Sequence, residues 1–383
     1  YARYAPPLFV WLSLIPAFFA IKEISRSKIN AGISTLLIAC SPVIFNVQVT
    51  MAGVVRGLAF LFVLSSISSF LLSARQDKKW IWSIISGVFL GLTLLTHLSY
   101  AVFGLLFISS NFLLNFRSIK TWKTTTLTGV SGLVVIAPWF FTMVHRYGWG
   151  VFLNAFNSHG SNSFLTLFKQ PENIGKLIEV AIFPLYDTPI IFGMIVLGLL
   201  FAIFTSNRVV VAWFILIVFL SSESERYLLT SGSILVGGLI SGLYTLLDHQ
   251  GENRNRSVSK AIFLFIFIGV IYGSGWRVIT STNTPVINQS AFDLANYVKI
   301  NTPPEHKYLI VSGPDEAEWF PYLLQRVPVV ASWGGEWIGN YNQHLGWVLE
   351  VAQCQKIESY ICLAGLIEQF PAQPDLLITH PAD

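Results

Sequence analysis

The side chains best equipped for chemistry in this chain stand at the ends of apolar stretches. Arg56 lies in Val55-Arg56-Gly57-Leu58-Ala59, and Arg226 closes the charged run Ser221-Ser222-Glu223-Ser224-Glu225-Arg226-Tyr227. A guanidinium is a planar fork that grips phosphate oxygens in pairs. At the edge of an apolar span it is costly unless it pairs or snorkels to the interface. Snorkelling is the plain alternative for Arg56, and a solvated loop whose glutamates offset the charge is the alternative for Arg226. Glu223 and Glu225 stand two apart, a spacing that suits a divalent cation, an acid–base pair or ordinary solvation. They are the only candidates for catalysis that this sequence offers. His97, with Tyr100 close behind it, and the cluster His145-Arg146-Tyr147 offer groups for proton transfer near neutral pH or for hydrogen bonding at an interface. Arg56, His97, Tyr100, His145, Arg146, Arg226 and Tyr227 are the substrate-binding candidates.

A membrane must position these groups. Hydrophobic residues make up 53% of the chain and charged residues 11%, and the mean hydropathy is +0.61. A soluble domain carries roughly 25% charged residues. Ten apolar stretches are expected as spans, at 7–21, 31–47, 54–72, 81–96, 100–114, 127–144, 190–204, 209–220, 228–247 and 261–276. Every second connection between them is basic: Lys22, Arg26 and Lys28; Arg75, Lys78 and Lys79; Arg117, Lys120 and Lys123; Arg208; Arg254, Arg256 and Lys260. Lys and Arg in short loops stay in the cytoplasm. The alternation therefore predicts a multi-pass protein of the plasma or inner membrane, with Tyr1 and everything after Trp276 outside the cytoplasm. It also places the candidate residues together on the outer face. The net charge of +4 is explained by the cytoplasmic loops and leaves no nucleic-acid footprint.

Two outer segments are long. Residues 145–188 read as a flexible loop followed by an interfacial helix over 173–183. The tail reads as helix 291–300, strand 308–312, helix 316–325, strand 327–331, a largely helical 346–362 and strand 375–379. Strands alternating with helices predict a small α/β domain. The expected division is thus a membrane domain over 1–280 and an extracytoplasmic α/β domain over 281–383. Cys40 lies inside a span. Cys354 and Cys362 lie where a disulfide is permitted, but on one continuous helix they would stand about 12 Å apart, which disfavours a bridge. Tyr1-Ala2-Arg3-Tyr4 carries no initiator Met or signal-peptide pattern. Since Tyr1 is expected outside, a further span is expected upstream, and the α/β domain is expected to be cut short at its end.

Four features resemble GT-C membrane glycosyltransferases, the polyprenyl-phosphate-sugar-dependent enzymes that include protein O-mannosyltransferases and lipid A aminoarabinose transferases. They are Tyr4-Ala5-Pro6-Pro7-Leu8-Phe9 opening the first span, Val55-Arg56-Gly57-Leu58-Ala59, Gly91-Leu92-Thr93-Leu94-Leu95-Thr96-His97 running into a turn, and Glu225-Arg226-Tyr227-Leu228-Leu229 entering a span. Their order and common sidedness carry the likeness, which covers most of the first 276 residues. The resemblance implies a hexosyltransferase-type enzyme that moves a sugar from a polyprenyl-phosphate-linked donor to a glycan, lipid or protein acceptor, among membrane lipids. In that family the catalytic acid sits in the first outer loop, which this chain lacks, so that residue is expected upstream of Tyr1. No cofactor follows from the residues, a divalent metal being the one the glutamate pair can accommodate. A transporter or lipid flippase is the alternative class, and a non-catalytic scaffold a third. Transporters place ionisable residues in mid-membrane and show internal repeats; here the spans are almost uncharged inside and the two halves show no repeat. No Walker loop, dinucleotide fingerprint, HExxH or CxxC spacing is present.

Overall fold

The computed structural model describes residues 5–41, 53–74, 79–159, 189–205, 207–220, 224–249, 289–311, 320–331, 339–357 and 359–379, together with Ile44, Gln48, Leu264 and Ile268. The chain divides into two compact units, Tyr1–Thr142 with Asn162–Asn283, and Met143–Ser161 with Thr284–Asp383.

The first unit is a bundle of apolar helices: α1 (Ala5–Ser25), α2 (Lys28–Cys40), α3 (Gly53–Ser73), α4 (Lys79–Thr96), α5 (Leu98–Leu114), most of α6 (Ile119–Tyr147), α8 (Pro189–Phe204), α9 (Arg208–Leu220) and α10 (Ser224–His249). Each expected span up to residue 247 contains one of them, while 261–276 lies outside the described residues. Four segments, Ala5–Ser25, Val55–Ser73, Ile119–Tyr147 and Arg226–Leu246, are long and apolar enough to cross a membrane. Their charged residues keep to the helix ends, as at Lys22 and Glu23, Arg56, Lys120 and Lys123, and Arg226.

Between helices in lipid, water exclusion drives little, so close packing and hydrogen bonds hold the bundle. Ser66 and Ser86 donate to each other's carbonyl oxygens at 2.9 Å, tying α3 to α4. Thr128 of α6 donates to the Ser83 oxygen at 3.2 Å. The same two helices close over Gly91, where a Cβ would come within 2.7 Å of Val135 Cβ. Leu133, Val134 and Phe141 of α6 are exposed apolar side chains, as a lipid-facing helix requires. The chain breaks at His97, whose extended backbone (φ −161°, ψ 115°) separates α4 from α5.

The second unit contains α7 (Gly150–His159), α11 (Gln289–Asn301), β1 (Tyr308–Val311), α12 (Tyr341–Lys356), α13 (Tyr360–Ile367) and β2 (Leu376–Thr379). β1 and β2 pair in parallel, from Tyr308 opposite Leu376 to Val311 opposite Thr379. The expected strand over 327–331 is reduced to one bridge, Pro328 beside Tyr308, because proline brings no N–H to a ladder. All of β1 is buried, and its alternate residues serve two cores. Tyr308 and Ile310 pack with Ala291, Ala295 and Val298 of α11. Leu309 and Val311 pack with Val348, Val351 and Leu363.

Further expectations fail in this unit. Residues 150–159 form α7 rather than a flexible loop, since Val151, Phe152, Leu153 and Phe156 supply apolar helical spacing once Gly148 (φ +74°) has ended α6. The expected helix over 173–183 lies outside the described residues. Residues 346–362 are largely helical, as expected, but not one helix: α12 stops at Lys356 and α13 restarts at Tyr360, with the Ser359 hydroxyl accepting from the Cys362 N–H at 3.2 Å as an N-cap. That corner folds the chain back, bringing the Cα atoms of Cys354 and Cys362 to 5.6 Å, and the two cysteines form a disulfide.

Candidate functional site

The break at His97 sets the geometry of one end of the bundle. With His97 extended, Ser99 and Tyr100 start α5, and the Ser99 hydroxyl lies 2.9 Å from His97 Nδ1. Arg226 arrives in the first turn of α10, and its Nη2 donates to Ser99 Oγ at 3.3 Å. The guanidinium carbon sits 5.1 Å from the Tyr100 ring centroid and 5.0 Å from that of Tyr227. Those rings meet edge to face at 5.3 Å, and His97 meets Tyr100 in the same way at 5.1 Å. Arg226 is 6% exposed, Tyr100 0% and Tyr227 1%. A desolvated cation on an aromatic face gains about 2 kcal/mol, which offsets part of the cost of burying this charge.

An aromatic column lies beneath. Phe103 stacks on Tyr227 at 4.8 Å, Trp213 packs against Phe103 at 4.7 Å, and Trp213 Nε1 donates to the Phe103 oxygen at 3.2 Å. The arginine is therefore seated on a floor that runs from α5 through α9 to α10.

Arg56 approaches from the first turn of α3, half-buried, with its charge in electrostatic reach of the Tyr100 and Tyr227 hydroxyls. Gly57 makes that approach work: a Cβ there would stand 3.3 Å from the Pro6 carbonyl oxygen and 3.5 Å from that of Gln48. Gln48, 1% exposed, faces the Tyr100 hydroxyl, while Ser99 and Arg226 face that of Tyr227. Neither tyrosine oxygen completes a well-formed hydrogen bond.

His97, Tyr100, Arg226 and Tyr227 thus come together, with Arg56 in electrostatic reach of the two tyrosines. His145 and Arg146 are exposed in the last turn of α6 and belong to the second unit. Glu223 and the Glu225 side chain lie outside the described residues, as does His159's side chain. Sequence reasoning missed Ser99 and Gln48. One signal for Ser99 was its place two residues after His97 in a tight break between spans; for Gln48 there was only an amide in an apolar stretch. Among the described residues no three His, Cys, Asp or Glu side chains gather in a way that could hold a metal ion. Two guanidiniums and an imidazole at one bundle end make a cationic, partly dehydrated site suited to an anion.

No protein-family model matches the chain, and no curated protein sequence does. Solved structures share its fold. The oligosaccharyltransferase of Archaeoglobus fulgidus tethered to an acceptor peptide with the NVT sequon superposes with a TM-score of 0.59 at 13% identity, over 86% of this chain and 52% of that one. The Archaeoglobus fulgidus oligosaccharyltransferase AglB in complex with an inhibitory peptide and a dolichol-phosphate gives 0.58 at 14%, over 86% and 53%. ArnT from Cupriavidus metallidurans bound to undecaprenyl phosphate gives 0.50 at 16%, over 90% and 74%. These are membrane glycosyltransferases of the GT-C superfamily, the group that the sequence features resemble. The chain spans about half the length of the archaeal proteins. Four of its own helices are long and apolar enough to cross a membrane, as in an integral membrane protein.

Proposed function

We propose that this chain is the membrane part of a hexosyltransferase-type enzyme that uses a polyprenyl-phosphate-linked sugar as donor. The observation that carries this reading is Arg226, buried between two tyrosine rings at the same bundle end as Arg56 and His97. Structures of its fold neighbours hold dolichol-phosphate and undecaprenyl phosphate, and such a lipid presents one phosphate at the membrane surface. In the transfer, an acceptor nucleophile forms a bond to the sugar's anomeric carbon while the bond from that carbon to the phosphate oxygen breaks. The phosphate leaves with the electron pair and one more negative charge. Arg226 and Arg56 stabilise that added charge, and a fixed guanidinium does so without having to reorganise. The nucleophile's proton must pass to a general base.

Under this reading the second unit is an extracytoplasmic α/β domain, supported by the Cys354–Cys362 disulfide, which belongs to oxidising compartments. The glycan, lipid or protein acceptor meets the donor on that face. The near absence of charge from the helix interiors favours this reading over a transporter or flippase.

The test is binding of undecaprenyl phosphate to the detergent-solubilised chain, wild type against Arg226→Gln and Arg56→Gln. Saturable binding that weakens in both variants is expected, more so for Arg226→Gln. Equal binding by all three would sink the assignment.

A further inference from the structure

We propose that Ser99 is a positioning residue that couples the protonation of His97 to the grip of the site on an anion. This rests on the reading of the site as a phosphate-binding one. The argument is one of donors and acceptors. Arg226 can only donate, so its Nη2, at 3.3 Å, occupies a lone pair of Ser99 Oγ. We assign neutral His97 the Nε2–H tautomer, in which Nδ1, 2.9 Å away, accepts from the Ser99 hydroxyl. In that tautomer the Ser99 hydrogen is engaged and has nothing to give an anion.

Protonating His97 reverses the bond. Nδ1 becomes a donor to Ser99 Oγ, which then accepts from both His97 and Arg226 and fills its two lone pairs. The hydroxyl hydrogen is released, and a phosphate oxygen on the open side competes for it with the Tyr227 hydroxyl that Ser99 also faces. One proton on the imidazole thus supplies a positive charge and also a new neutral donor. By linkage, the bound anion favours the protonated imidazole to the same degree. Both groups are within reach of a ligand, since His97 and Ser99 are only half-buried whereas Tyr100 and Tyr227 behind them are closed off. Arg226, Arg56, Tyr100 and Tyr227 also face this turn. Arginines and tyrosines keep their ordinary charge state between pH 8 and about pH 5, where an imidazole changes its own.

The experiment uses the full chain in nanodiscs and a probe whose own charge is constant over that range, a prenyl phosphate methyl ester (a phosphodiester). Its Kd is measured at pH 8 and pH 5.5 for wild type, Ser99→Ala, Ser99→Thr and His97→Gln. Wild type is expected to bind about tenfold tighter at the lower pH, the scale of one hydrogen bond to a charged group. Ser99→Ala keeps only the bare charge effect, about threefold or less, and Ser99→Thr restores the full change. His97→Gln is flat. A wild-type profile that is flat, or one that Ser99→Ala leaves untouched, overturns the coupling while leaving phosphate binding standing. Failure of wild type to bind the ester at either pH overturns both this inference and the reading it rests on.

Discussion

Two arginines are buried in this protein to almost the same degree, and their surroundings give them opposite roles. Arg226 in the helical bundle is 6% exposed, and Arg326 in the second unit is 8% exposed. Arg326 spends its donors on backbone: Nη2 on the oxygens of Lys299 (3.2 Å) and Thr302 (2.7 Å), Nη1 on those of Leu324 (3.4 Å) and Gln325 (3.3 Å). These carbonyls end α11 and the helical turns at 320–324, where unsatisfied oxygens and the negative pole of the helix dipole collect. A cation there is a C-terminal cap shared by two segments. Arg226 is instead seated on ring faces, beside a hydroxyl that can both accept and donate. The difference teaches that burial of a charge does not by itself mark a site. A guanidinium surrounded by carbonyls is a fastening, whereas the one set on aromatic rings is the group proposed to meet a ligand's charge.

The widest separation is expected from removing each arginine in turn. Arg226→Ala should weaken polyprenyl-phosphate binding by about 100-fold or more, the scale of losing one preorganised charge donor, with the thermal transition of the second unit unmoved. Arg326→Ala should do the reverse. It strands carbonyl acceptors in a closed interior at about 2–3 kcal/mol, read as loss of hydrogen-exchange protection in α11 with lipid binding intact. If both variants lose binding and protection together, the contrast collapses.

The contrast was half legible in the sequence. The alternation of basic connections put Arg56, His97 and Arg226 on one face, because the membrane forces sidedness on Lys and Arg whatever the tertiary packing. Tyr100 and Tyr227 could be named because they neighbour those residues in sequence. Gln48 and Ser99 could not, since a single amide or hydroxyl near a span end has no periodicity that reveals its partner. Arg326 was passed over for a similar reason. Two of its carbonyl partners lie 24 and 27 residues back, and backbone oxygens leave no mark on a sequence pattern. The disulfide was disfavoured on the condition that 346–362 runs as one helix; Ser359 before Tyr360 was an N-cap signal that breaks it.

The disulfide sharpens the comparison next. Cys354 is 4% exposed within the core that holds Leu309 and Val311, and its bond to Cys362 pins the corner between α12 and α13. Cross-linking so short a loop is expected to stabilise by about 2 kcal/mol. Cys362→Ser should therefore lower the melting temperature of the second unit by several degrees and leave phosphate binding unchanged. A matching loss in lipid affinity would show that the two units do not act separately.

The smallest effect concerns two histidines that repeat the contrast between the arginines. His97 stands in a chain of hydroxyl and guanidinium that a proton can rearrange. His344 packs against Trp347 at 5.1 Å, and burial holds its pKa below the ordinary imidazole value. The unfolded chain then binds a proton at His344 more readily than the folded one. Stability therefore depends on pH with a definite sign: it is fully present above the unfolded-state pKa, and falls as pH drops through the range between the unfolded and folded values. The second unit should melt at a lower temperature at pH 5 than at pH 8, and His344→Gln should remove that part of the dependence. Ligand affinity in the same variant should keep the wild-type pH profile, because the group proposed to govern it is His97. If His344→Gln flattened the binding profile instead, proton sensing would belong to the second unit, and the assignment of roles to the two histidines would have to be exchanged.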